Sequence, residues 1–200
     1  MALHAEAERA GIMPRLLRGQ IDRATYCALL RNLHTIYAAL EPALALHAAH
    51  PLVAPLHAPT LRRQQALAAD LELLHGEGWA AEIPVRPAAA DCAQRLVGQP
   101  ERLVAHAYVR YLGDLSGGQM LSRIVTESLH LDPGIGVAFY DFGGASDVER
   151  LRHRLRQGLD SLPADAASAE RIVTEAQLSF GLHIRLFGEL AAERPATSVC

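Results

Sequence analysis

Lysine is absent from this chain of 200 residues, and all 19 of its basic residues are arginines. Schiff-base catalysis and the phosphate-binding P-loop both require a lysine, so both kinds of site are excluded. The β-branched residues are also few, with 10 valines, 8 isoleucines and 6 threonines, whereas alanine and leucine together occupy 66 positions. Because β-branched side chains lose χ1 freedom in a helix and alanine and leucine lose little, this composition predicts a mostly helical protein.

Cysteines and long apolar runs are also scarce, and the net charge is small. The three cysteines (Cys27, Cys92 and Cys200) are too few and too scattered for a disulfide framework or a cysteine zinc site. The net charge of −3 argues against a general nucleic-acid binder. The most apolar stretch, residues 36–56, is broken by a glutamate, histidines and prolines, and the N-terminus lacks the apolar core of a signal peptide. We therefore expect a cytoplasmic, monomeric protein that binds neither nucleic acid nor membrane.

Helix signals occur in succession along the chain and predict one all-α domain over residues 1–194, followed by a tail at 195–200. The domain is expected to contain about seven or eight helices. The predicted helices span 2–10, 14–18, 23–42, 61–75, 91–98, 100–130, 146–159 and 165–193. The segment 83–86 is a weak candidate for a strand.

Three of these helices have recognisable start signals. Asp22 is expected to cap a long helix that bends or ends near Pro42. Thr60 is expected to cap the following long helix. Ser146 and Glu149 have the spacing of a capping box, which predicts the start of the helix that follows them.

Three glycines, Gly113, Gly117 and Gly118, lie inside one long predicted helix. Each costs roughly 1 kcal/mol relative to alanine in a helix, so their clustering requires a reason. Gly113 and Gly117 are four residues apart and open the same face, where a flat molecule can approach the backbone and the helix can kink. Helix packing through small residues explains the pattern equally well. The adjacent carboxylate of Asp114 favours a binding site slightly, because simple packing makes no use of it.

The glycines belong to the segment 108–119, whose sequence YVRYLGDLSGGQ resembles the distal-helix signature of the heme oxygenases. The N-terminal segment 4–8 is similar to the proximal segment of that family, and residues 33–41 and 172–190 are similar to two of its long helices. The resemblance covers nearly the whole chain. It implies the all-α fold of the family, with heme held between the first helix and a kinked, glycine-rich distal helix.

By this resemblance, His4 is the proximal ligand of the heme iron, a role that an imidazole nitrogen suits. Glu8 is four residues further, on the same helix face, and is expected to hydrogen-bond the far ring nitrogen of His4. Gly113 and Gly117 are expected to lie against the distal face of the heme. Gly118 is expected to help the helix to bend.

The resemblance also implies a polar network on the distal side. Asp114 matches the distal carboxylate of the family, which holds a water that hydrogen-bonds the oxygen ligand of the iron. Arg110, four residues before Asp114, can pair with it on one helix face, and Tyr37 matches a tyrosine of the same network. His183 stands where the best-known animal members have asparagine. A histidine there can donate a hydrogen bond, but its charge is expected to vary near neutral pH.

For the heme propionates, the resemblance assigns Tyr108, Arg152 and Arg156, and the planar fork of arginine suits a carboxylate. Phe180 falls in the matching C-terminal helix and is assigned to the heme pocket. Because propionates set the rotation of heme in its pocket, the retained Tyr108 and Arg156 favour opening at the α-meso carbon.

The implied reaction uses heme as both cofactor and substrate. Heme, O₂ and electrons from an external reductase or ferredoxin give biliverdin, CO and ferrous iron. A non-catalytic heme carrier or sensor is an alternative that keeps the binding site and omits the chemistry. Asp114 argues against that alternative, because binding alone does not need a distal carboxylate.

A di-iron carboxylate protein is a second alternative, since such proteins place two Glu-x-x-His pairs and two further glutamates inside a helical bundle. The candidate residues are Glu72 with His75, Glu127 with His130, Glu41 and Glu175. Both histidines fall at predicted helix C-termini, whereas di-iron ligands belong in the middle of a bundle. The helix dipole gives a simpler explanation of a histidine at that position.

Overall fold

The computed structural model describes residues 2–192, and every regular element in this part of the chain is a helix. The all-α expectation is confirmed, whereas the expected tail at 195–200 lies outside the described residues. The α-helices are α1 (Ala2–Ala7), α2 (Met13–Leu17), α3 (Arg23–Leu46), α4 (Gln64–Leu74), α5 (Trp79–Glu82), α6 (Pro87–Arg95), α7 (Pro100–Ser128), α8 (Ala145–Asp160) and α9 (Ala166–Ala192). Two 3₁₀ turns, Pro59–Leu61 and Ala138–Tyr140, lie in connections. Within residues 2–192, no helix has the length and apolar character needed to cross a bilayer.

The strand expected at residues 83–86 is wrong, because this segment is an irregular connection. The buried side chain of Asn32, on α3, forms hydrogen bonds with the backbone of this segment. Asn32 accepts the N–H of Arg86 at 2.6 Å and donates to the carbonyl of Pro84 at 3.4 Å. A side chain thus satisfies groups that a neighbouring strand would otherwise bond. α6 then begins at Pro87, earlier than the predicted start, because proline is well suited to the first turn of a helix.

α3 begins as predicted and ends later than predicted. Asp22 caps it, accepting the backbone N–H of Thr25 at 2.8 Å. The helix continues through Pro42 to Leu46. Leu44, beyond the proline, is buried, so the last turn still packs on the core and compensates for the lost backbone hydrogen bond.

The predicted cap of α4 is wrong. This helix begins at Gln64, and Thr60 lies in the preceding 3₁₀ turn. The carboxylate of Glu41, on α3, accepts the N–H of Gln64 at 3.1 Å and also that of Arg63. The first turn of α4 is therefore satisfied from a neighbouring helix.

The predicted capping box of α8 is displaced by two residues. Ser146 and Glu149 do not form it. Instead, the carboxylate of Asp147 accepts the backbone N–H of Gly144 at 2.9 Å, and the helix begins at Ala145.

α7 and α9 pack against each other along much of their length and run in the same direction. The pairs that join them show this: Glu101 binds Arg171 at 2.9 Å, and His106 contacts Glu175 at 3.0 Å further along both helices. α3 packs on α4, α6 and α7, while α1 rests on α9 and α2 on α7. α9 therefore supports both α1 and α7, the two elements that carry the residues of interest.

Gly11 fixes the position of α1 and α2 on α9. It has φ of +48°, and a Cβ at this position would lie 1.9 Å from the carbonyl oxygen of Phe187. The next residue, Ile12, donates its N–H to the same oxygen at 3.2 Å. Only glycine combines this left-handed backbone with so close an approach to α9.

We expect Gly11→Ala to destabilise the protein more than Gly19→Ala. Gly19 also has a positive φ, of +64°, but a Cβ there meets its nearest atom at 3.5 Å. Both variants bear the left-handed penalty of roughly 1–2 kcal/mol. Gly11→Ala adds the overpacking cost, typically about 1–3 kcal/mol. Urea denaturation measures both losses, and equal losses would show that the contact with Phe187 is unimportant.

Candidate active site

A cavity of about 270 Å³ lies between α1, α2, α3, α7 and α9. Most of its walls are aliphatic or aromatic: Leu16, Leu17, Leu29, Leu33, Leu121, Phe139 and Phe187. The charged and imidazole side chains that line it come from α1, the residue after it and α7, namely His4, Glu8, Arg110 and Asp114. An apolar cavity with a few converging polar groups is the usual form of a small-molecule site.

The glycines of α7 divide into two groups. A Cβ on Gly113 or Gly117 would meet no heavy atom of the described residues within 4 Å, and both residues line the cavity. Gly118 is buried against Tyr140, whose ring would lie 3.5 Å from its Cβ, so it serves packing. Gly113 and Gly117 thus expose bare helix backbone to the cavity, as a flat ligand requires. This arrangement argues against the alternative that these two glycines serve helix packing.

His4 and Glu8 extend from α1 and its C-terminal end toward the same cavity. The Nδ1 of His4 is 3.6 Å from Oε1 of Glu8, and the two side chains are 57% and 50% exposed. This distance is too long for a hydrogen bond, although it fits an ion pair when the imidazole is protonated. His4 and Glu8 are neighbours, as predicted, but they do not form the predicted hydrogen bond.

Asp114 lies at the centre of a buried polar cluster on α7 and α3. Arg110 donates from Nη2 to its Oδ1 at 2.6 Å, which is the pairing expected from their spacing. The hydroxyl of Tyr37, which is fully buried, donates to Oδ2. The guanidinium of Arg110 also lies 5.5 Å from the centre of the Tyr37 ring, a cation–π distance. Both carboxylate oxygens therefore have a fixed partner, and the orientation of Asp114 is set.

Burial and pairing act in opposite directions on this cluster. Burial raises the pKa of Asp114 above its ordinary value, although the neighbouring Arg110, the hydrogen bond from Tyr37 and the charge of Arg63 oppose this rise. Burial disfavours the charge on Arg110, but Asp114 and Tyr37 outweigh this effect and raise its pKa above the ordinary value. Burial raises the pKa of Tyr37 well above its ordinary value. Arg110 thus remains charged and Tyr37 remains a hydrogen-bond donor.

His183, on α9, departs from its prediction. Its side chain is buried, and its Nδ1 lies 2.7 Å from the carbonyl oxygen of Ser179. Burial and the nearby charge of Arg110 lower the pKa of His183 to about 3. Its charge therefore does not vary near neutral pH, contrary to expectation, because burial strongly disfavours the imidazolium.

A second, wider cavity of about 920 Å³ adjoins the first and shares His4 with it. Tyr108, Arg156 and Phe180 line it, so the structure brings three of the predicted residues together. The remaining lining is mainly aliphatic and comes from α1, α7, α8, α9 and the connection between the last two. Together the cavities form one cleft with an apolar interior and an arginine on α8.

Arg152 does not join this group. It pairs instead with Glu149, one turn earlier on α8. An ion pair at a partly exposed surface contributes at most about 1 kcal/mol, so this pairing is readily exchanged for another carboxylate.

Asp70 supports the site, and sequence analysis missed it. It is fully buried on α4 and accepts the N–H groups of Ala138 at 2.9 Å and Phe139 at 2.8 Å. These bonds hold the 3₁₀ turn that places Phe139 and Tyr140 against the first cavity. The available signal was an aspartate between Leu67, Leu71 and Leu74 on the apolar face of a predicted helix.

The di-iron alternative is wrong for the part of the chain that the structure describes. No group of three or more potential metal ligands among histidine, cysteine, aspartate and glutamate converges there. Glu41 caps α4, and Glu175 binds Arg95. His75 caps the end of α4 and pairs with Glu82 at 2.9 Å.

Comparison with known proteins identifies the family of the chain. The profile of the heme oxygenase family matches residues 1–189. The chain is 38% identical to heme oxygenase 1 of Nostoc over 191 residues, which covers 94% of this chain and 80% of that protein. Its fold is similar to crystal structures of two heme oxygenases from Synechocystis.

For heme oxygenase-1 in complex with heme, the TM-score is 0.87 at 37% identity, covering 94% of this chain and 87% of that one. For heme oxygenase-2 in complex with heme and NO, the TM-score is 0.89 at 37% identity, covering 94% and 80%. The agreement extends over nearly the whole chain in both sequence and fold, and the chain therefore belongs to the heme oxygenase family of enzymes.

Proposed function

We propose that this chain binds heme in the cleft between α1 and α7 and converts it, with O₂ and electrons from an external reductase or ferredoxin, to biliverdin, CO and ferrous iron. The observation that carries the proposal is the bare backbone at Gly113 and Gly117, which faces the same cavity as His4 and lies beside Asp114. The Synechocystis relatives of similar fold were crystallised with heme, which supports the choice of ligand.

The residues of the cleft fit heme. Its apolar walls suit the porphyrin, and the side-chain-free face of α7 leaves room for a flat ring. His4 is assigned as the iron ligand through Nε2, because its Nδ1 faces Glu8. Heme itself supplies the iron that reacts with O₂ and the porphyrin carbon that becomes oxidised.

Asp114 acts on the distal side as an acceptor of fixed orientation. Tyr37 and Arg110 each hold one of its oxygens, and each oxygen retains a further lone pair. We assign to Asp114 the role of holding a water next to Gly113, which would place a proton donor on the side of the porphyrin where O₂ would react. The hydroxyl proton stays on Tyr37, since burial raises the pKa of that side chain.

The second cavity is assigned to the propionates. Tyr108 offers a hydroxyl and Arg156 a guanidinium at its lining. Arg152 joins them by exchanging Glu149 for a propionate. Anchoring at this side fixes the rotation of the porphyrin and supports opening at the α-meso carbon.

Purified protein titrated with hemin is expected to develop a Soret band. Addition of O₂ and a reductant is then expected to replace this band with the absorption of biliverdin. A Soret band that persists during reduction would overturn the proposed chemistry and leave a heme carrier. Chromatography of the product against the meso isomers of biliverdin tests the α assignment separately.

A further inference from the structure

Two rows of buried polar side chains face each other where α7 and α9 pack in parallel. The side chains recur every four residues on each helix: His106, Arg110 and Asp114 on α7, and Glu175, Ser179 and His183 on α9. Burying so many polar residues at and beside one helix interface is unfavourable unless their hydrogen bonds are satisfied. The bonding pattern between the rows therefore assigns the donor and acceptor at each position.

The row begins at Glu175, which is ionised. Burial alone would raise its pKa, but hydrogen bonds and charges from Arg95 and His106 lower it overall. Its carboxylate is therefore an acceptor, and the Nε2 of His106, 3.0 Å away, must donate. The Nδ1 of this neutral imidazole is then the acceptor, facing the hydroxyl of Ser179 at 3.3 Å.

The other end of the row is His183. The carbonyl oxygen of Ser179 can only accept, so the Nδ1 of His183, at 2.7 Å, carries the proton. The Nε2 of a neutral imidazole protonated at Nδ1 is an acceptor. In the described part of the chain, this Nε2 is buried without a hydrogen-bond partner.

Arg110 presents the complementary group. Its Nη2 is bound to Asp114, but its Nε–H is also buried without a partner among the described residues. Arg110 is near enough to His183 for its charge to act on the imidazole. A donor and an acceptor that are both buried and unsatisfied, on facing positions of adjacent helices, suit one bridging water.

We propose that His183 is a positioning residue whose Nε2 accepts a hydrogen bond from a buried water that is bound to Arg110 Nε–H, and that this contact holds the guanidinium against Asp114. His183 thus acts as a permanent acceptor, whereas the sequence suggested a donor of variable charge. Its effect on turnover rests on the proposed function, but its tautomer and its contact with Arg110 do not.

The electrostatic surroundings keep this acceptor neutral. Burial and then the charge of Arg110 lower the pKa of His183, the bond to Ser179 opposes them, and His106 adds a smaller lowering. The Sγ of Cys92, on α6, lies 3.4 Å from the Nδ1 of His106, so Cys92 faces His106 and not His183. Protonation of Nε2 is therefore expected only in strongly acidic solution.

Two-bond ¹H–¹⁵N correlation spectra of the ligand-free protein, labelled at histidine, test the tautomer directly. We expect His183 to show the Nδ1–H form and no titration between pH 5 and 8. The spectrum of His183→Leu assigns the signal. An Nε2–H tautomer, or a titration within this range, would overturn the proposal without bearing on the proposed enzyme activity.

Two near-isosteric variants test the contact with Arg110. His183→Gln places an amide oxygen near the position of Nε2, whereas His183→Asn keeps only the part of the side chain near Ser179. The readout is the exchange rate of the Arg110 Nε–H with water, measured by ¹⁵N NMR on ligand-free protein. We expect slow exchange in the wild type and in the glutamine variant. In the asparagine variant we expect exchange at least roughly tenfold faster, as for the loss of a hydrogen bond made by a charged group.

Equal exchange rates in the glutamine and asparagine variants would contradict the proposed contact. If either variant fails to fold, the wild-type exchange rate still tests the proposed contact. Fast exchange of Arg110 Nε–H in the wild type would show that no bound water or imidazole protects it.

Discussion

Replacement of His4 by alanine is expected to abolish conversion of heme and to weaken heme binding by more than tenfold. Loss of a partner that only supports a metal ligand typically costs roughly 10–100-fold in affinity, so loss of the ligand itself should cost at least as much. The side chain of His4 is 57% exposed, and substitutions at such positions usually change stability by less than about 0.5 kcal/mol. The loss of binding is therefore expected without loss of folding.

Imidazole in solution provides the decisive test of this role. It can enter the space left by the side chain and bind the iron in its place, so we expect it to restore the Soret spectrum of His4→Ala. The measurement is a hemin titration with and without imidazole, followed by the spectrum of the ferrous protein. His153→Ala is the matched control, because His153 is exposed on α8 and lines neither cavity. An unchanged ferrous-heme spectrum in His4→Ala would exclude His4 as the ligand.

The sequence predicted the long helices because their stabilisation is periodic and local. α3, α7 and α9 bury apolar residues at three- and four-residue intervals, and such spacing is readable in the chain. Several boundaries were wrong because the groups that satisfy them are remote. Glu41 caps α4 from 23 positions away, and Asn32 binds the 83–86 segment from α3.

The same distinction applies to the site. Arg110 and Asp114 were paired correctly, because residues four apart on a helix are neighbours. Asp70 was missed, because its bonds to Ala138 and Phe139 span 68 and 69 positions. The charge of His183 was mispredicted for a related reason: burial determines it, and burial is a property of the packed protein.

Filling the bare face of α7 is expected to make the protein more stable and less able to bind heme. Gly113→Leu replaces a glycine inside a helix, and such a change stabilises by about 0.5–1 kcal/mol where the new side chain has room. A Cβ at Gly113 would meet no heavy atom of the described residues within 4 Å. The added side chain instead occupies the space assigned to the porphyrin.

The expected loss of heme affinity is roughly 5–150-fold, which corresponds to the 1–3 kcal/mol that overpacking typically costs. Urea denaturation of the ligand-free protein gives the stability, and hemin titration gives the affinity. Gly181→Leu is the matched control. Gly181 lies inside α9, is exposed, and likewise has open space where a Cβ would be, so it should show the stability gain with unchanged affinity.

A gain in unfolding free energy together with a loss of heme affinity distinguishes a ligand site from a packing contact. If Gly113 served helix packing, leucine would clash with protein atoms and lower the unfolding free energy, whether or not heme binding changed. If the glycine face contacts heme, the ligand-free protein gains stability and only the complex is weakened. Wild-type affinity together with the stability gain would mean that heme does not lie against Gly113, and the proposed orientation of the porphyrin between α1 and α7 would be wrong.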